Sequence, residues 1–315
     1  MKILFIGNTR LGDAILSSCI LNFYKKKDMN ITVVCSPLSE DIYKNFPNVK
    51  RTIVVVKKKR AKHWLDVYKS LESICWDLVI DLRNTIISRI IRKKKILRLN
   101  KVIANKHRVV SLCYLLNIKK NISLNIPVKN KIIKKVQKLI DKNNIEKPIL
   151  AIAPVTNWER KNWPIDRFAS LADGLVKEIK TKDKFKSIII LGSKKEEQEC
   201  ENLKKKIKNV KTINMSGKYD IITIYALLKH CKLFVGNDSG LMHLSAAAKI
   251  NTLGLFGPSK EVNYRPWGLK SYYLRTNMKY EQLVNTKGYN RFESASLMTS
   301  LSVKKVLNKC LDILK

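Results

Sequence analysis

Short apolar runs alternate with amphipathic stretches along the chain, and most runs stop at a cluster of turn-forming residues. Residues 2–6, 31–35, 52–56 and 78–81 are too short for helices and rich in Ile, Val and Phe, which predicts buried strands. Between them, 14–24, 40–46 and 63–74 are predicted as helices, with 7–13 as a glycine-containing turn. The alternation restarts after a polar break at 143–148, which ends in Pro148. Strands follow at 149–153, 187–191, 211–215, 233–235 and 252–256, and helices at 165–179, 196–207, 221–230 and 241–248. Pro164 opens the first of these helices. A helix at 131–141 precedes the break, another at 303–314 closes the chain, and the basic stretch 83–128 shows no clear period. Strand–helix alternation of this kind predicts parallel sheets covered by helices on both faces. The second half rebuilds the first, so the expectation is α/β with two Rossmann-like doubly wound domains, 1–146 and 147–315, facing a cleft.

Composition narrows the class. The chain has 315 residues, enough for two cores. Its 45% hydrophobic and 28% charged residues are those of a folded soluble protein. No apolar run approaches the roughly 18 residues of a membrane span. The apolar start ends at Gly7-Asn8, too short for a signal peptide, so a cytoplasmic location is expected. Seven scattered cysteines without a Cys-x-x-Cys pair fit a reducing compartment, and speak against a structural zinc or a disulfide frame. Gly7 and Gly12 lack the third glycine of a dinucleotide fingerprint, and Ser36-Pro37 stands where its acidic residue would be, which argues against a nicotinamide enzyme.

The formal net charge is +38. One reading is an anionic partner, whether nucleic acid, acidic membrane or phosphorylated substrate. The other is lysines spread over every solvated face. The runs Lys25-Lys26-Lys27, 57–60, 92–95 and 204–206 fall in different predicted elements, without interleaved aromatics. That favours loose attraction to anionic lipid headgroups over specific nucleic-acid binding.

The chemistry concentrates at 233–259, LFVGNDSGLMHLSAAAKINTLGLFGPS. A strand breaks at Gly236-Asn237-Asp238-Ser239-Gly240, a small-residue helix follows with His243 in its first turn, and a second strand ends at Gly257-Pro258-Ser259. Free N–H groups at a helix start beyond the carboxyl end of a parallel strand suit a phosphate. The plainer alternative is an ordinary tight turn. Asp13 follows the first strand, either as a proton acceptor or as a charge at a helix N-terminus. Lys161 precedes Trp163-Pro164, where Trp163 suits core packing better than ligand stacking. No Asp-x-Asp occurs, so a metal-bridged diphosphate is not suggested.

Asp238-Ser239-Gly240-Leu241-Met242-His243-Leu244, with Ala246-Ala247-Ala248 and Gly257-Pro258-Ser259, resembles the donor-site signature of the ADP-heptose:lipopolysaccharide heptosyltransferases, glycosyltransferase family 9. Arg10-Leu11-Gly12-Asp13 is similar to the family's N-terminal motif, and the loop Thr156 to Pro164 to its phosphate loop. Leu191 to Glu196 gives a softer match, with Glu197 adjacent.

The resemblance implies the GT-B fold, with Asp13 as catalytic base and Arg10 on the acceptor side. It implies a nucleotide-sugar donor held by Thr156 and Lys161 on the diphosphate and Glu196 on the ribose. Asp238 would hold sugar hydroxyls, and Ser239, Gly240, Leu241 and His243 would meet phosphate, although a histidine there serves equally as a structural hydrogen-bonder. It further implies inverting transfer without metal or cofactor, onto a lipid A–Kdo type acceptor, peripherally at the inner face of the cytoplasmic membrane. The stretch 272–300 lacks the cysteines that members often carry there, and Asn157 and Tyr219 fall where members differ. Another nucleotide sugar or surface glycan on the same fold stays open. So does a non-catalytic basic protein binding nucleic acid or membrane, although Asp13, Lys161 and Asp238 together speak against it.

Overall fold

The computed structural model describes residues 1–26, 28–56, 62–99, 103, 105–119, 122–179, 184–286 and 289–315; Lys27 and the basic run 57–60 lie outside them. The chain divides into two compact units, Met1–Lys129 and Asn130–Lys315.

The first unit runs β1 (Lys2–Ile6), α1 (Leu11–Phe23), β2 (Asn30–Cys35), α2 (Pro37–Tyr43), β3 (Val49–Val54), α3 (His63–Lys69), β4 (Trp76–Asp81), α4 (Ile87–Ile90), β5 (Lys93–Arg98) and α5 (Arg108–Leu115). Its five strands are all parallel in the order β3-β2-β1-β4-β5, and the order reverses between β1 and β4. Alternate residues of β1 explain its central place: Leu4 and Ile6 pack with Val34, Val79 and Leu71 on one face. Helix α1 starts at Leu11, three residues before the expected 14, so Gly12 and Asp13 belong to its first turn. Helix α2 starts at Pro37, behind Ser36, whose N–H donates to Ser39 Oγ at 3.2 Å. The unpatterned stretch resolves into α4, β5 and α5.

The second unit runs α6 (Asn130–Lys142), β6 (Ile149–Ala153), α7 (Ile165–Glu178), β7 (Ser187–Ile190), α8 (Glu197–Lys206), β8 (Lys211–Asn214), α9 (Ile221–Leu228), β9 (Leu233–Asn237), α10 (Gly240–Ala247), β10 (Asn251–Phe256), α11 (Glu261–Tyr264), β11 (Ser271–Arg275), α12 (Tyr280–Val284) and α13 (Val303–Leu314). Helix α6 groups with this unit, ahead of the expected boundary at 146, because it packs on α9 and Lys135 Nζ bonds Asp220 Oδ2 at 2.7 Å. Six parallel strands lie in the order β11-β10-β9-β6-β7-β8. Here the reversal falls between β6 and β9, whose register sets Ala151 beside Phe234 and Ala153 beside Gly236. That seam requires glycine: a Cβ on Gly236 would stand 2.9 Å from the carbonyl oxygen of Ala153. Among the described residues no helix is long and apolar enough to cross a membrane.

Candidate functional site

In open parallel sheets ligands bind beyond the carboxyl ends of the strands, where the strand order reverses. The second unit gathers its chemistry at that point. Residues 154–164 leave β6, fold into a 3-10 turn at Glu159–Lys161, and enter α7. Trp163 anchors the loop. Its fully buried indole meets Phe168 edge-on at 4.9 Å, and its Nε1 donates to Leu301 O at 2.8 Å. A tryptophan so enclosed is core, as its residue type suggested.

Asn237, at the end of β9, stitches the two neighbouring strand exits together. Its Oδ1 accepts from Trp163 N (3.1 Å) and its Nδ2 donates to Pro154 O (2.7 Å), with the residue completely buried. Lys161 Nζ then donates to Asp238 Oδ2 at 2.8 Å and to Asp238 O at 2.9 Å. The two side chains are 16% and 10% exposed, so the pair is shielded but still reachable from one side. Helix α10 begins two residues later. Ser239 is its N-cap residue but makes no side-chain cap bond, and its Oγ has no partner among the described residues. Gly240 and Leu241 form the partly exposed first turn, with its N–H groups free of intrahelical partners. Lys161, Asp238, Ser239, Gly240 and Leu241 therefore sit together: one cation, one carboxylate and the positive end of a helix dipole.

Other expected residues stand differently. Thr156 is buried, and its hydroxyl serves the loop itself, donating to Trp158 O at 2.9 Å and lying 3.2 Å from Trp158 N. That turn occupies the group expected on a diphosphate. His243 is 3% exposed, which favours the structural alternative for its ring. Glu196 Oε2 accepts from Ser193 N at 2.6 Å in a capping box, while Glu197 pairs with Lys194. In the first unit Asp13 lies half-buried in the first turn of α1, and Arg10 is the exposed N-cap residue. Nearby, Ser36 Oγ donates to Thr9 O at 2.9 Å and steadies the loop after β1. Asn8 Nδ2 is shielded and unpartnered among the described residues.

The family model for glycosyltransferase family 9 (heptosyltransferase) matches residues 93–291. Lipooligosaccharide heptosyltransferase 2 of Campylobacter jejuni (serotype O:2) is 32% identical over 284 residues, covering 85% of this chain and 84% of that protein. The chain belongs to glycosyltransferase family 9. This glycosyltransferase also shares its fold with a family 9 glycosyl transferase from Veillonella parvula, at TM-score 0.84 and 20% identity over 99% of this chain and 97% of that one. A structure of Escherichia coli ADP-heptose lps heptosyltransferase II gives TM-score 0.74 at 16% identity, covering 100% and 98%. The two doubly wound units are thus those of a GT-B glycosyltransferase.

Two residues of this candidate site escape sequence reasoning. Asn237 reads only as a turn former, and Arg160 only as a member of the loop Thr156 to Pro164. Arg160 is in fact 6% exposed, paired with Glu293 and facing Tyr289 at 5.0 Å. Cys35 and Cys200 are no candidates for nucleophiles: burial pushes both thiols up to about 12, so neither forms thiolate near neutrality.

Proposed function

We propose that the enzyme moves a heptose from ADP-heptose to the inner core of lipopolysaccharide in one inverting displacement that needs no metal. The observation that carries this reading is Lys161 beside Asp238 at the strand-order reversal, next to the N-terminus of α10. In this reading the acceptor hydroxyl loses its proton to Asp13 as its oxygen attacks the anomeric carbon. The new C–O bond forms as the bond to the β-phosphate oxygen breaks, and ADP departs with the electron pair. One attack inverts the anomeric configuration, through an oxocarbenium-like transition state. The charge that grows on the departing diphosphate is met by the Lys161 ammonium and by the first N–H groups of α10. Asp238, after yielding part of its hold on Lys161, bonds the sugar hydroxyls, and Glu196 uses its uncapped oxygen for the ribose.

The partners in this reading are the nucleotide sugar and a lipid A–Kdo type acceptor. The acceptor carries carboxylates and phosphates, and it is presented at the inner face of the cytoplasmic membrane. A chain with net charge +38 is drawn to such a surface without a membrane-spanning helix.

The test is a thermal-shift panel of ADP, UDP, GDP, CMP and ADP-heptose in the presence of a chelator. Binding to the native state raises the melting temperature by mass action. ADP compounds alone should give the shift. A preference for UDP or GDP would overturn the donor, and no shift with any nucleotide would overturn the reading altogether. Asp13→Asn should keep the ADP shift and lose roughly 10²- to 10⁴-fold in turnover. Turnover equal to wild type would remove Asp13 from the role of base.

A further inference from the structure

The loop residues around Lys161 are bonded to a single segment of chain, residues 289–301. Arg160 donates to Glu293 and to the carbonyl of Asn290, and its guanidinium lies over the ring of Tyr289. Backbone bonds follow the same path, with Leu297 N donating to Arg160 O at 3.0 Å. Trp158 Nε1 donates to Arg291 O at 3.0 Å, and the Arg291 guanidinium stacks 4.9 Å from the Trp158 ring. Ser296 Oγ donates to Asn162 O at 2.5 Å. Lys161 is the exception: its side chain leaves the segment and reaches Asp238.

Glu159–Lys161 is a 3-10 turn, in which successive side chains diverge by about 120°. Fixing Arg160 on one side of the turn therefore fixes the direction in which Lys161 departs on the other. A lysine has four rotatable carbons and keeps no geometry of its own. Arg160 supplies it: a nearly buried planar guanidinium held by a carboxylate, a carbonyl and an aromatic face is among the most constrained side chains a loop can offer.

We propose that Arg160 and Glu293 are positioning residues for the donor's diphosphate, their pairing setting the turn that presents the Lys161 ammonium. The inference rests on the reading of Lys161 as the diphosphate's counter-charge. It also gives a task to the segment 289–301, which the sequence left without one.

The test is calorimetric titration of the full chain with ADP, on Glu293→Gln and Arg160→Lys, each with and without Lys161→Ala. Glu293 is 49% exposed, so its amide variant folds without a buried defect. Each single variant should weaken ADP about three- to tenfold, in the lower part of the range of coupling between touching groups. In the Lys161→Ala background both losses should shrink to about onefold, because a residue that acts through Lys161 has nothing left to act on. Wild-type affinity in both single variants would overturn the proposal. So would a loss of the same size in the Lys161→Ala background, since the pair would then serve the fold alone. If Lys161→Ala by itself left ADP binding unchanged, the diphosphate assignment would fail instead, and that measurement stands apart from the other two.

Discussion

Replacing Lys161 with methionine keeps the length and apolar stem of the side chain and deletes its ammonium. Asp238 is then left as a 10% exposed carboxylate beside the N-terminus of α10. Breaking a fully buried pair costs about 3–5 kcal/mol, whereas an exposed pair contributes about 0–1 kcal/mol. At 16% and 10% exposure this pair lies nearer the first limit, and the helix dipole returns up to about 1 kcal/mol to the orphaned carboxylate. A loss of about 2 kcal/mol follows. For a unit the size of Asn130–Lys315, each kcal/mol moves the melting temperature by about 2–4 °C, so the variant should melt about 4–8 °C lower. The missing charged bond to a diphosphate, about 1.5–3 kcal/mol, weakens ADP roughly ten- to a hundredfold. At ADP a hundred times the wild-type Kd, wild type gains about 2.7 kcal/mol, whereas a variant weakened about thirtyfold gains about 0.9 kcal/mol. Differential scanning fluorimetry with and without ADP reads both numbers. A variant that melts within about 1 °C of wild type and keeps the full ADP shift refutes the reasoning.

Two further perturbations test the frame around the site. Gly236→Ala puts a methyl 2.9 Å from Ala153 O in the paired strand, so the β6–β9 seam must open; a loss of about 1–3 kcal/mol in urea titration is expected, and an unchanged midpoint would contradict the close approach. Asp220 caps α9 through Thr223; burial alone would raise its pKa, but the bonds from Lys135 and Thr223 outweigh burial and bring it from 3.8 down to about 2. A carboxylate depressed on folding contributes stability that is complete above its unfolded pKa and is lost as pH falls from about 4 towards 2. Because the group is partly open to solvent, the contribution is about 1 kcal/mol. Asp220→Asn keeps the cap and removes the charge, so the stability gap between wild type and variant should narrow as pH falls below about 4 and close only below about pH 2; a gap independent of pH would refute the assignment.

The alternation of short apolar runs carried most of the architecture because central parallel strands are buried on both faces and must be apolar throughout. The strands that escaped are those at sheet edges. β5 reads Lys-Lys-Lys-Ile-Leu-Arg and β11 reads Ser-Tyr-Tyr-Leu-Arg, and each has a neighbour on one side only. β3, the other edge of the first sheet, spans Val49–Val54 rather than the expected 52–56, and Lys50 and Arg51 near its start are both exposed. Edge strands tolerate such charges, which also discourage pairing with another chain, so their hydrophobic signal is thin. At the site, Lys161 and the 238–241 turn were legible as loop chemistry at strand ends. Arg160 was not, because its burial depends on Glu293, which lies in a distant segment of the sequence. Asn237 escaped for the same reason, since its two partners leave a different strand.

The β6–β9 seam joins residues 150–153 to residues 233–236, the widest sequence separation between paired strands in the second sheet. Closing so large a loop has an entropic cost that only the completed pairing offsets, and such pairings belong to the slow part of folding. Lys161 meets Asp238 only across this seam. A chain still emerging from synthesis before β9 has a Lys161 loop with no partner for its lysine. In the proposed reading of this site, ADP binding therefore reports on finished folding, because it requires the sheet to be zipped through its middle.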